Sequence, residues 1–257
     1  MGQHFLGDAG WSRRILKILA PGASETWVEI GAGHGEMTQM LAADGRRVKA
    51  IEADSRLAED LQEKVSSHPH DWPNVEVVSS DVLNVDLGEL VNGTFRVYGN
   101  LPYYITSPIL HHLFECAGQI RSIHIVIQLE VAERIAAKPG RRAYGYLSAL
   151  CQFYAHPEIV LRLPPGAFRP PPRVQSALVR MTLPGERAEL NTSNEKGFLE
   201  FIQRCFGQKR KTLRNNLRQL ASDRKIHQAL EDCGLRPDSR AEQVTLAQFA
   251  ALFESLS

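Results

Sequence analysis

The chain has 257 residues, of which 43% are hydrophobic and 23% charged, and its 30 Lys+Arg nearly balance 29 Asp+Glu. Those fractions belong to a soluble globular protein and exclude a disordered chain or a fibre. No apolar run approaches a membrane span, and the N-terminus has no basic region leading into a long apolar one, so no secretory signal is expected. Cys116, Cys151, Cys205 and Cys233 follow neither a disulfide framework nor a zinc-site spacing. A reducing, cytoplasmic setting is therefore expected, with no structural metal and no membrane.

The first half alternates helix and strand signals. Residues 12–20 read as a helix with Ser12 as candidate N-cap and Ile15, Leu16 and Leu19 at helical spacing. Residues 26–30 form a β-rich run that ends in Gly31-Ala-Gly-His-Gly35, and a helical pattern follows at Met37, Met40 and Leu41. Further strands are predicted at 48–52, 75–78, 95–99 and 123–128, with helices at 55–65, 107–116 and 130–137. This alternation predicts a mainly parallel sheet with helices on both faces. Prolines 164, 165, 170, 171 and 172 then bracket Phe168 in a stiff loop, and 174–183 alternates like an antiparallel edge strand. Beyond the polar stretch 184–195 only helical patterns remain, at 198–206, 213–220, 226–233 and 246–256. The expected organisation is an α/β domain over 1–185 and a small all-helical domain over 186–257.

Charge is unevenly placed. Residues 204–225 hold eight basic residues against Asp223 alone, and 134–180 hold eight against Glu158 alone. Two basic patches in a near-neutral chain suggest a polyanion bound at one face.

Glu29-Ile-Gly-Ala-Gly-His-Gly-Glu36 is a strand–glycine turn–helix junction. Its glycines let backbone approach a ligand at the carboxyl edge of the first strand. The dinucleotide fingerprint G-x-G-x-x-G is not met, because Glu36 holds the slot of the third glycine. Glu29, two residues before Gly31, is an odd neighbour for a pyrophosphate. A nucleoside without phosphates but with a cationic group fits better, and S-adenosylmethionine is such a ligand. Glu52 ends the second strand, 21 residues after Gly31, where a carboxylate accepts ribose hydroxyl protons. Asp81 follows the third strand and can receive an adenine amino group. Asn100-Leu-Pro-Tyr-Tyr104 follows the fourth. There the Asn100 side-chain oxygen and a backbone carbonyl near Leu101–Pro102 can accept both hydrogens of an exocyclic amine, with Tyr103 stacked on the base.

Seven segments occur in order: Gln3-His-Phe-Leu6, Glu29-Ile-Gly-Ala-Gly33, Asn100-Leu-Pro-Tyr-Tyr-Ile105, Gln128-x-Glu-Val-Ala-x-Arg134, Tyr144-Gly-x-Leu-Ser148, Pro165-x-x-Phe-x-Pro-x-Pro-x-Val174 and Arg210-Lys-Thr-Leu-Arg-Asn-Asn-Leu217. Together they resemble the KsgA family of small-subunit ribosomal RNA adenine dimethyltransferases across nearly the whole chain. Many members have Pro where Ala32 stands.

The resemblance implies a Rossmann-like methyltransferase domain and a helical rRNA-binding domain. It implies transfer of methyl groups from S-adenosylmethionine to the amines of two adjacent adenosines in the 3′-terminal hairpin loop of small-subunit rRNA. It places the cofactor at His4, Leu6, Gly31, Glu52, Asp81 and Asn100, and the target adenine against Asn100, Pro102, Tyr103 and Phe168. The partner is rRNA in the 30S subunit or its precursor, bound by a monomer. The basic run Lys209, Arg210, Lys211, Arg214 and Arg218 is expected to grip phosphates, with Lys211, Arg214 and Arg218 on one helical face. Two other readings are a large-subunit rRNA methyltransferase of the erythromycin-resistance type and a non-catalytic RNA-binding assembly factor. The Arg210–Leu217 segment argues against the first. Glu52, Asp81 and the Asn100 motif argue against the second.

Overall fold

The computed structural model describes residues 4–190, 192, 194–208 and 210–256. They fall into two compact units: the chain up to Ala132 with Pro157–Leu183, and Glu133–His156 with the chain from Pro184 on. The sequence places one boundary, at 185/186. The observed division also gives Glu133–His156 to the helical unit, because Tyr144, Ala149 and Phe153 join the apolar core of the helices.

In the first unit, β1 (Phe5–Leu6), α1 (Ala9–Leu19), β2 (Thr26–Ile30), α2 (Glu36–Ala42), β3 (Arg47–Glu52), α3 (Ser55–Ser67) and β4 (Val75–Ser79) build half of the sheet. The other half follows α4 (Leu87–Leu90): β5 (Phe95–Asn100), α5 (Thr106–Glu115), β6 (Ile120–Gln128) and α6 (Leu129–Ile135). After α7 (Tyr146–Tyr154) come β7 (His156–Leu163), β8 (Phe168–Arg169) and β9 (Ser176–Thr182). The strand order is β4-β3-β2-β5-β6-β9-β7, and a separate two-stranded pair joins β1 to β8. β4, β3, β2, β5 and β6 run parallel, and β9 lies antiparallel to β6. Strands covered on both faces read as continuous apolar runs; Ile123, Ile125, Val126 and Ile127 of β6 are all fully buried.

Two local expectations change. α1 starts a turn early, because the Asp8 carboxylate accepts from Gly10 N–H and caps it, which leaves Ser12 buried inside the helix. β9 is not an edge strand: β7 lies outside it. The alternating pattern of β7, with His156, Glu158 and Arg162 among apolar residues, gives a weak strand signal that suits an edge.

The second unit holds α7, α8 (Arg187–Leu190), α9 (Glu195–Cys205), α10 (Leu213–Leu217), α11 (Asp223–Asp232) and α12 (Leu246–Leu256). Phe198, Ile202, Leu213, Leu217, Leu230, Phe249 and Leu252 form its core. The Phe198 ring packs against Phe153 at 5.4 Å and Phe253 at 5.8 Å between centroids. Asn216 donates to the Cys205 carbonyl at 2.6 Å and ties α10 to the end of α9. Among the described residues no helix is long and apolar enough to cross a membrane. Phe198→Ala leaves a cavity in this core and should cost about 3–5 kcal/mol, read as a lower urea midpoint at unchanged slope.

Candidate active site

Chain direction across the sheet reverses between β2 and β5. β2, β3 and β4 proceed one way and β5 and β6 the other, which opens a crevice beyond the carboxyl ends of β2 and β5. Gly31 leaves β2 there, and its N–H and that of Ala32 both donate to the Ile51 carbonyl (2.8 and 3.2 Å). Gly31, Gly33 and Gly35 take φ of 75°, 56° and 86°, which L side chains adopt only under strain. A Cβ on Gly33 would lie 2.8 Å from the Phe5 ring, whereas one on Gly31 would meet only the Asn100 carbonyl oxygen, at 3.8 Å. Space over Gly31 is thus open at the point where β2 and β5 part.

Glu52 ends β3 beside this turn and is buried. Its Oε2 accepts from Gly33 N–H at 2.8 Å and its Oε1 from Asp54 N–H at 2.9 Å. Both oxygens are therefore held in fixed directions, each with a lone pair to spare. Asp81 lies just past β4, exposed, and its carboxylate accepts from Leu83 N–H at 3.0 Å. Adjacent strands are about 4.8 Å apart. The row Gly31, Glu52, Asp81 on β2, β3 and β4 therefore spans roughly 10 Å, the length of a nucleoside.

Beneath the glycine turn lies a buried polar trio. Glu29 faces Tyr98 across the β2–β5 pairing, and Thr38 sits on α2. Glu29 Oε2, Thr38 Oγ1 and Tyr98 Oη are buried and make no well-formed hydrogen bond, Thr38 approaching Glu29 only weakly. Burial pushes the Glu29 carboxyl up to about 8; Thr38 opposes this and the Glu52 charge adds to it. Glu29 is accordingly a neutral acid at pH 7. Its position two residues before Gly31 is legible in sequence, but its two companions are not, since they come from other elements.

Asn100 ends β5. Its Nδ2 donates to the His4 carbonyl at 2.7 Å. A carbonyl can only accept, so the amide nitrogen must face His4 and Oδ1 must point the other way. His4 is held in turn: its Nδ1–H donates to the Pro170 carbonyl at 2.7 Å, and its ring stacks on Tyr103 at 5.9 Å. Tyr103 Oη hydrogen-bonds Ser176 Oγ at 2.9 Å. Pro102 O accepts from Ile105 N–H at 3.3 Å and closes a tight turn with Tyr103 and Tyr104 at its centre. The tertiary structure thus brings His4, Asn100, Pro102 and Tyr103 together, with Leu6 next along β1.

Phe168 departs from expectation. It pairs with Leu6 in the β1–β8 ladder and is only 1% exposed, within the core of this unit. It presents no open face to a base and instead holds the N-terminal strand that carries His4. Ser176 is a residue that sequence reading missed; a serine at the start of a strand carries no signal of its partner.

The basic run also differs. Lys209 lies outside the described residues. α10 is only five residues long, Thr212 caps it, and Lys211 precedes it. Arg214 and Arg218 are one turn apart and share the Asp223 carboxylate, at 3.3 and 3.4 Å. The three cations are therefore not a bare stripe. Arg210 and Lys211 are exposed, and the Asp223 pairs are open to solvent, where an ion pair contributes little.

A doubly wound sheet with a glycine turn at the reversal, a fixed carboxylate on the next strand and an oriented amide across the crevice defines a Rossmann-like methyltransferase. The chain belongs to the ribosomal RNA adenine dimethylase family, whose model matches residues 1–257. It is 41% identical to the ribosomal RNA small subunit methyltransferase A of Koribacter versatilis, over all of this chain and 93% of that protein. It is 36% identical to the protein of the same name from Caldanaerobacter subterraneus, over 99% and 95%. The fold matches that of a dimethyladenosine transferase from Plasmodium falciparum (TM-score 0.82, 23% identity, 97% of this chain and 96% of that one). It also matches that of the 23S rRNA methyltransferase ErmE (TM-score 0.74, 29% identity, 98% and 99%).

The buried acid has a pH signature. The folded chain keeps the Glu29 proton up to about pH 8, whereas the unfolded chain releases it near 4.5. Unfolding therefore releases a proton between those values, and stability falls as pH rises through that window, by at most about 1.4 kcal/mol per pH unit. Glu29→Gln cannot ionise. Its urea-derived stability should gain on the wild type from pH 5 to pH 8. Parallel curves would show that Glu29 is ionised throughout.

Proposed function

We propose that the chain is an S-adenosylmethionine-dependent enzyme that dimethylates the N6 amines of two adjacent adenosines in the 3′-terminal hairpin loop of small-subunit rRNA. The observation that carries this is the Asn100 amide at the sheet's switch point, whose Nδ2 is taken by the His4 carbonyl, so that Oδ1 is left as the acceptor. Family membership and relatives named for the small subunit support the substrate. The reading includes a cytoplasmic monomer acting on the 30S subunit or its precursor.

The residues present fit the cofactor. Space over Gly31 admits close approach to backbone, Glu52 offers oriented acceptors for ribose hydroxyls, and Asp81 has an exposed carboxylate for the adenine amine. His4, Leu6 and Asn100 complete the cradle on the far side. When bound, S-adenosylmethionine supplies an electrophilic methyl group on sulfur.

The rest is orientation. The amine of adenine is a poor nucleophile because its lone pair is delocalised into the ring. Asn100 Oδ1 and a backbone carbonyl at Leu101–Pro102 accept its two hydrogens, which favours a pyramidal nitrogen and frees the lone pair. Tyr103, fixed by Ser176 and His4, supplies a face for the base. Preorganised acceptors and alignment of this kind carry the rate. The adenosine must leave its stack to reach them. In the helical unit, Arg210, Lys211, Arg214 and Arg218 hold phosphates, with phosphate replacing the Asp223 carboxylate between the two arginines.

Titration calorimetry should give a dissociation constant for S-adenosylmethionine in the micromolar range, about −8 kcal/mol. Glu52→Ala should lose most of that binding; equal affinity would remove Glu52 from the cofactor site. Asn100→Ala should keep the fold and subunit binding yet slow methylation of unmethylated 30S subunits by about 100-fold or more. Wild-type turnover in that variant would overturn the site.

The triple variant Lys211→Ala, Arg214→Ala, Arg218→Ala should bind subunits more weakly, with a log–log salt slope shallower by about 2. Its cofactor affinity should not change. An unaltered slope would move the phosphate contacts elsewhere.

A further inference from the structure

Three large hydrophobic side chains stand exposed among the described residues: Tyr104, Val174 and Leu220. One of them, Tyr104, belongs to the turn that carries Pro102 and Tyr103 of the candidate site. Tyr103 and Tyr104 are the central residues of the Pro102–Ile105 turn, and that turn sends their rings apart. Tyr103 goes inward to Ser176, whereas Tyr104 stands 72% exposed. Val174, 44% exposed, lies two residues before Ser176, on a segment pinned by the bond from Leu129 N–H to the Gln175 carbonyl. The hydrogen bond between Tyr103 and Ser176 ties the Pro102–Ile105 turn to the start of β9 and leaves the Tyr104 ring in solvent beside the candidate site.

Among the described residues Tyr104 is the most exposed large hydrophobic side chain, and it stands on the turn that carries candidate site residues. Its chemistry suits a nucleobase, since every base offers a flat π-face to an exposed aromatic ring. Extruding the target adenosine strips the next base of its stacking partner. We infer that Tyr104 stacks on the nucleobase flanking the extruded adenosine and so sets which nucleotide enters the site. This rests on the reading of the chain as an rRNA adenine methyltransferase and adds a positioning residue to it. Tyr104 touches a neighbour of the reacting base, not the reacting atoms.

Steady-state methylation of unmethylated 30S subunits by full-length Tyr104→Ala, Tyr104→Phe and Tyr104→Trp tests the inference. Tyr104→Ala should raise KM for the subunit about 10-fold, the equivalent of one stacked base, with kcat affected far less. Tyr104→Phe and Tyr104→Trp should stay within about twofold of wild type. The tryptophan variant should also show indole quenching on RNA addition beyond that of Trp11, Trp27 and Trp72 in the wild type. A KM for Tyr104→Ala within twofold of wild type overturns the stacking role. So does a defect that Tyr104→Phe shares, since the ring is then not the active part. If the wild type methylates no subunit adenosine, the enzymatic reading itself fails. In that event quenching of Tyr104→Trp by a hairpin RNA still decides the contact, and its absence overturns it.

Discussion

The arrangement of the site depends on the hydrogen bond from Asn100 Nδ2 to the His4 carbonyl. An amide side chain presents donor and acceptor in opposite directions, and only a partner of fixed polarity selects one. His4 does so because its own segment cannot swing. β1 is laddered to β8, Gly7 N–H donates to the Ala167 carbonyl at 2.9 Å, and the His4 ring is held by Pro170 and Tyr103. The buried Phe168 anchors that ladder in the core. A segment at one end of the chain and a proline-rich loop far along it thus jointly orient one oxygen atom.

Under the same crevice lies a cluster of buried polar groups. Glu29, Thr38 and Tyr98 bury three oxygen atoms there without a well-formed hydrogen bond, and such groups destabilise a fold. A neutral Glu29 avoids placing a second buried negative charge beside Glu52, whose oxygens are already committed to Gly33 and Asp54. Glu52 remains the fixed carboxylate facing the crevice, and Glu29 supports the turn from below.

The helical unit follows a different rule. Its apolar core is ordinary, but its cations are tempered. Asp223, at the first turn of α11, draws Arg214 and Arg218 together. This keeps two guanidinium groups at one carboxylate, without the repulsion that unpaired cations would exert on each other.

The sequence by itself determined the parallel sheet, its glycine turn and the placement of Gly31, Glu52, Asp81 and Asn100 at or just past the carboxyl ends of their strands, because each strand's apolar pattern is local and strong. It also carried the family's motifs in order. Only the tertiary structure decided which way Asn100 points, since that depends on a carbonyl 96 residues away. It alone showed Phe168 buried and Tyr104 exposed: both are aromatic residues next to prolines or turns, and burial is set by what packs against them. It alone moved Glu133–His156 to the helical unit and placed β7 outside β9. It paired Arg214 and Arg218 with Asp223 because a short helix and a turn return the acid to them. Local patterns fix elements; long-range pairing fixes the atoms that do chemistry.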